Sequence, residues 1–134
     1  MLYLGFLRFG NPPQPMRVVF DTGSTNAWIL NYKTNVGKQE KCGFEETKSK
    51  TCKKCNNEWV DVSFGSGKLG GHFYKDDVRM GEEGTSMVIK DQTFGNVEKQ
   101  QTIFSENNFD GIIGMAYPPV SHNGYRGLFD NLMR

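Results

Sequence analysis

No apolar run in this sequence approaches the roughly 20 residues that a membrane-crossing helix requires. The apolar opening MLYLGFLRFG lacks a basic leader and contains Arg8, so it reads as a strand and no signal peptide is expected. A surplus of one charge sign is missing too, since 16 basic and 15 acidic residues give a formal charge of +1. Composition therefore supplies no field to steer nucleic acid or an anionic membrane surface, and neither is expected as a partner. Histidine is confined to His72 and His122, neither at a zinc-finger spacing and neither accompanied by a nucleophile elbow. Cysteine is scarce and odd in number: Cys42, Cys52 and Cys55 permit one local disulfide and one leftover thiol, which leaves the redox compartment open. The CKKC spacing of Cys52 and Cys55 invites a zinc or redox reading, but the chain lacks a fourth ligand in a suitable pattern, so no metal and no cofactor is expected. GSGKLGG lacks the lysine followed by serine or threonine of a phosphate loop, and KSKTCKK reads as a solvated basic loop.

What is present points to strands. Sixteen glycines and an aromatic content of 13%, led by ten phenylalanines, suit short strands joined by tight turns, and 134 residues are enough for one domain with a core. An all-β fold is expected. Leu2 to Phe9 forms a first strand, ended by GNPPQP, and a hairpin returns through Met16 to Phe20. NAWIL resumes the strand pattern after DTGST, and Asn31 to Glu58 reads as an elaborated polar, lysine-rich surface loop. WVDVSFGSGKLGGHFYKDDVRMG reads as a long hairpin with a glycine-rich tip. Two further strands are expected in SMVIKDQTFG and KQQTIFSE, then a buried strand in FDGIIGMAY, marked by Ile112, Ile113, Met115 and Ala116. Leu128, Phe129, Leu132 and Met133 in GLFDNLMR stand at helical spacing.

One residue disturbs this pattern. Asp21 interrupts VVFDTGSTNAWIL, and burying an ionised carboxylate between such apolar flanks costs several kcal/mol unless hydrogen bonds support it. Thr22, Gly23 and Ser24 offer that support, with two hydroxyls and a glycine that lets backbone amides turn toward the carboxylate. The residues alone leave two readings, a functional carboxylate cradle or a turn cap.

FDTGSTNAW resembles the active-site segment of the pepsin-like aspartic proteases. YLGFLRFGNPPQPMRVVFDTGS resembles that family's opening hairpin, FGSGKLGGHFYKDDVRMG its flap hairpin, FDGIIGMAYP the strand beside the active-site loop and LFDNL the helix soon after. The resemblance implies a closed-barrel-like β lobe with a flap hairpin and one short helix. It also implies peptide-bond hydrolysis by a water activated between two aspartates that share a proton, with no metal and no cofactor. Asp21 would be one of the pair, Ser24 would support its outer oxygen, and Thr22 would brace the loop against a second lobe. The flap, with Phe64, Gly65, Ser66 and Gly67, would close over an extended polypeptide substrate. Trp28, Val19, Phe109 and Ile112 are candidates to wall its pockets, with plain core packing the alternative for each.

The chain departs from the family pattern at three places. Phe64 stands where the family has a tyrosine whose hydroxyl pairs with the indole of a residue matching Trp28. A single Asp-Thr-Gly is present, so residues 1–134 are expected to be a partial N-terminal lobe whose second aspartate comes from an absent C-terminal lobe. A symmetric homodimer is not expected, because the dimer-building termini of retroviral proteases are not evident. The cysteines are also unusual, with Cys42 free to pair with either Cys52 or Cys55. A non-catalytic peptide-binding lobe and an inactive truncated product stand as alternatives. A secreted or acidic-vesicle location would follow from the resemblance alone.

Overall fold

The computed structural model describes residues 3–22, 26–34, 43–64, 67–81, 87–100 and 109–115, together with Leu128 and Asn131. Among them are eight strands: β1 (Tyr3–Phe9), β2 (Gln14–Asp21), β3 (Ala27–Leu30), β4 (Lys53–Lys54), β5 (Val60–Phe64), β6 (Gly67–Met80), β7 (Met87–Gln100) and β8 (Gly111–Gly114). A 3-10 turn spans Glu46–Lys48, and Leu128 and Asn131 are helical. The expected all-β fold is what forms.

The first hairpin turns at Gly10, whose φ of +88° lies in the region that favours glycine. Its amide donates to the Asp77 carbonyl at 2.9 Å, which ties the turn to β6. From β1 the sheet runs β1-β2-β8-β3-β7-β6-β4, and β1 also pairs with β6, so the sheet closes on itself as a barrel. β6 makes this closure feasible. One of its edges carries β7, and the other receives β5 at Gly67–Gly71, β4 at Tyr74 and Lys75, and β1 at Val78 and Arg79.

Side chains alternate across a strand, so each unbroken apolar run here signals a strand buried on both faces. Val18, Ala27, Ile29 and Ile113 enter one cluster with Leu7, Phe9, Met16, Phe44, Val78, Ile89, Phe94 and Leu128. Their chain neighbours Val19, Trp28, Leu30 and Ile112 enter a second cluster with Val60, Leu69, Phe73, Val97 and Phe109. β2, β3 and β8 thus form the wall between two cores. β6 serves both, presenting Leu69 and Phe73 to the second cluster and Val78 to the first.

Two sequence expectations need correction. SMVIKDQTFG and KQQTIFSE do not give two separate strands: Met87–Gln100 is one strand paired with β6 along its length, and residues 101–108 lie outside the described residues. A register shift between Asp76 and Val78 and the positive φ of Asp91, 52°, let it bend without breaking. The segment from Asn31 to Glu58 is not simply a surface loop either. Phe44 is fully buried, and its ring meets those of Phe9 and Phe94 edge-on, at centroid distances of 6.4 and 5.3 Å. A lone aromatic amid polar residues carries no periodicity, so pattern alone could not place it.

Gly95 allows the second core to close. It faces Trp28 across the β3–β7 pairing, where a β-carbon would collide with the indole and lie 2.7 Å from Phe73 Cε1. Gly95→Ala is expected to cost about 1–3 kcal/mol through overpacking, measured as a lowered urea midpoint. An unchanged midpoint would mean that the indole can shift without loss.

Candidate active site

Asp21 is the last residue of β2, half-buried, with Gly114 as its parallel partner on β8. Its carbonyl accepts from the Met115 amide at 2.7 Å, while the Asn26 carbonyl accepts from Gly114 at 3.1 Å. Asp21 and Asn26, on either side of residues 22–25, are therefore both tied to the end of β8. Alternation puts the Asp21 side chain on the Val19 side of β2, the side of the second core. Thr22 is exposed at the start of the turn, and Gly23 and Ser24 lie outside the described residues.

The four pocket candidates are brought together. Val19, Trp28, Phe109 and Ile112 are all buried in the second core, where Trp28 packs against Phe73 with ring centroids 5.1 Å apart. Val60, Leu69 and Phe73 reach the same core from the β5–β6 hairpin, so the hairpin is rooted on the cluster that backs Asp21. β5 ends at Phe64, whose backbone partner is Gly67; Gly65 and Ser66 lie outside the described residues.

Three buried aspartates clamp distant segments together. Asp110, 2% exposed, accepts from the Arg17 amide at 3.0 Å and pairs with the Arg17 guanidinium at 3.2 Å, which clamps the entry to β8 onto β2. Asp76 accepts the hydroxyls of Ser49 and Thr51, each at 2.6 Å, so those two residues anchor the 49–51 segment to β6. Asp77 accepts from Lys90 at 3.0 Å and Asn11 at 3.1 Å, and from the Asp91 amide at 3.3 Å. Burial by itself raises the Asp77 pKa, but Lys90, the Asp91 amide and Asn11 outweigh it and hold the carboxyl below its ordinary value. The sequence pattern missed these clamps, because their partners are 13 to 93 residues apart in the chain.

Cys52 and Cys55 are both free thiols, and Cys42 lies outside the described residues. Burial, then the carboxylates of Asp76 and Glu46, then Cys55, push Cys52 up to about 12, and burial raises Cys55. Such thiols stay protonated and are poor nucleophiles. Among the described residues no three His, Cys, Asp or Glu side chains are grouped to hold a metal ion, and no helix is long and apolar enough to cross a membrane.

The described part of the site is thus a half-buried aspartate at a strand end, backed by an apolar core that it shares with the β5–β6 hairpin. Residues 2–134 match the family model described as eukaryotic aspartyl protease. The chain belongs to that family. Cathepsin D of Chionodraco hamatus is 37% identical over 145 residues, covering 98% of this chain and 33% of the relative. Aspartic protease 3 of Toxoplasma gondii is 34% identical over 139 residues, with coverages of 98% and 21%. Plasmepsin IX of Plasmodium falciparum is 33% identical over 142 residues, with coverages of 98% and 22%. The chain thus spans a third or less of these aspartyl proteases.

The depressed Asp77 pKa fixes the sign of an acid response in this family member. A carboxyl with a lower pKa folded than unfolded contributes stability that is complete above the unfolded value of about 4 and is lost as pH falls through the folded value. Asp77→Asn is expected to lower Tm at neutral pH, with the gap to the wild type closing on acidification below about pH 4. Thermal melts across that range check it; a gap constant with pH would assign the acid response to other groups.

Proposed function

We propose that this chain is a partial N-terminal lobe of an aspartic endopeptidase, with Asp21 as one of two carboxylates that activate water for attack on a peptide bond. The observation that carries this is the placement of Asp21 at the end of β2, its backbone held by β8 and its side chain on the face of the second core. In the proposed mechanism two carboxylates share one proton, because like charges in such proximity cannot both ionise. The ionised one takes a proton from water while its partner donates to the peptide carbonyl, and the roles then reverse. The second aspartate would come from a related lobe. Ser24 would support the outer oxygen of Asp21, Thr22 would brace the turn, and Gly23 with the flap backbone would pair with an extended polypeptide. Val19, Trp28, Phe109 and Ile112 would back the pockets that read its side chains. A secreted or acidic-vesicle setting suits this chemistry.

The test is hydrolysis of extended peptides by the protein carrying both lobes, with and without Asp21→Asn. Cleavage is expected with an acidic optimum and is expected to vanish in the variant. Best turnover above neutral pH, or activity that survives Asp21→Asn, would sink the proposal. A lobe that binds peptides without cutting them is favoured by one feature, the absence of a hydroxyl at Phe64. It would show saturable binding of the same peptides with no products.

Restoring that hydroxyl is informative in its own right. Phe64→Tyr is expected to raise kcat/KM about two- to tenfold if the new hydroxyl gains a hydrogen bond of about 0.5–1.5 kcal/mol on flap closure. Steady-state kinetics on one peptide decide it, and an unchanged kcat/KM would show that closure here does not use that bond.

A further inference from the structure

Two pairs of like charges face each other directly across strand pairings on one edge of the barrel. Lys53 on β4 is the partner of Lys75 on β6, and Arg8 on β1 is the partner of Arg79 on β6. Like charges directly opposite destabilise a sheet. Lys75 and Arg79 lie on the same face of β6 because four residues separate them along a strand, a span of about 13 Å. That face is the outer one at this end, since Val78 between them enters the first core.

Lys50 is exposed, its amide is bonded to the Asn11 carbonyl at 2.8 Å, and its chain neighbours Ser49 and Thr51 bond Asp76, the residue after Lys75. Lys50, Lys53 and Lys75 are exposed and make no ion pair among the described residues. Arg8 and Arg79 lean on neutral acceptors, the Gly81 carbonyl at 3.1 Å and Asn11 Oδ1 at 3.0 Å. Among the described residues the carboxylates nearby are already engaged: Asp77, on the same face between Lys75 and Arg79, is neutralised by Lys90 and bonded to Asn11, and Asp76 is bonded to Ser49 and Thr51. A chain of formal charge +1 thus concentrates five cations in one row.

We propose that this row, Lys53, Lys75, Lys50, Arg79 and Arg8, is a docking surface for a linear sulfated polysaccharide. Charge complementarity selects an anion, and the linear spacing on an open sheet face fits an extended polyanion over a span of a few sugar units. Single-stranded nucleic acid would want aromatic side chains within the row on which bases could stack, and the row has none. An anionic membrane would want an apolar anchor among the cations. The exposed Phe6 lies only at one end, beyond Arg8.

Heparin supplies the probe, with affinity measured on the chain as a function of salt. Binding is expected near physiological salt, and Lys75→Gln is expected to lower the slope of log K against log salt by about one. Lys75→Glu turns the like pair with Lys53 into an opposite pair, so it is expected to weaken heparin binding while raising Tm. A merely structural role for Lys75 would not move the two readouts in opposite directions. Lys33→Gln, a cation outside the row, is expected to leave binding unchanged. Affinity insensitive to Lys75→Gln, an equal loss in Lys33→Gln, or binding to phosphatidylserine vesicles with none to heparin would each overturn the proposal.

Discussion

The insertion of β8 between β2 and β3 is the constraint on which the rest of the molecule depends. β2 and β3 follow one another closely in the chain, yet each pairs with β8, one parallel and one antiparallel, and not with the other. Residues 22–26 must therefore step across two strand spacings, about 10 Å. A two-residue hairpin turn cannot span that distance, because it joins strands that are direct neighbours. The Asp21 and Asn26 carbonyls, one at each end, are both bonded to β8 or the residue after it. A carboxylate is thereby presented from a fixed backbone and not from a flexible tip.

That insertion also explains why the strands around the site are apolar on both faces. With β8 in place, β2 and β3 become interior strands of a closed sheet, facing on one side the aromatic trio of Phe9, Phe44 and Phe94 and on the other the core in which Phe73 packs on Trp28 of β3. The hairpin of β5 and β6 is rooted in the second of these cores, so its strands are held by the same packing that backs Asp21. Gly95 belongs to this arrangement as much as any side chain does, because the indole of Trp28 occupies the space its β-carbon would need.

Electrostatics divides the carboxylates by role. Asp76, Asp77 and Asp110 are all buried and each joins segments distant in sequence through hydroxyls, amides or a basic side chain. Asp21 is set apart by its half-burial at a strand end. Net charge conceals a further division, since a nearly balanced composition becomes uneven once strand register sets Lys53 opposite Lys75 and Arg8 opposite Arg79.

The strand class, the first hairpin, the hairpin of β5 and β6 and the singular position of Asp21 were legible in the chain, because turns, alternation and a carboxylate in an apolar run are local signals. The sequence also carried the four motifs that resemble the family's. It did not place Phe44, join the two expected strands into β7 or reveal the Arg17–Asp110 clamp. Each of these depends on a partner far along the chain, and a pattern of period two or 3.6 contains no information about such partners. Tertiary structure alone decided which faces met, which glycine had to yield to Trp28 and where cations accumulated, since closing the barrel through β1 and β6 sets all three at once.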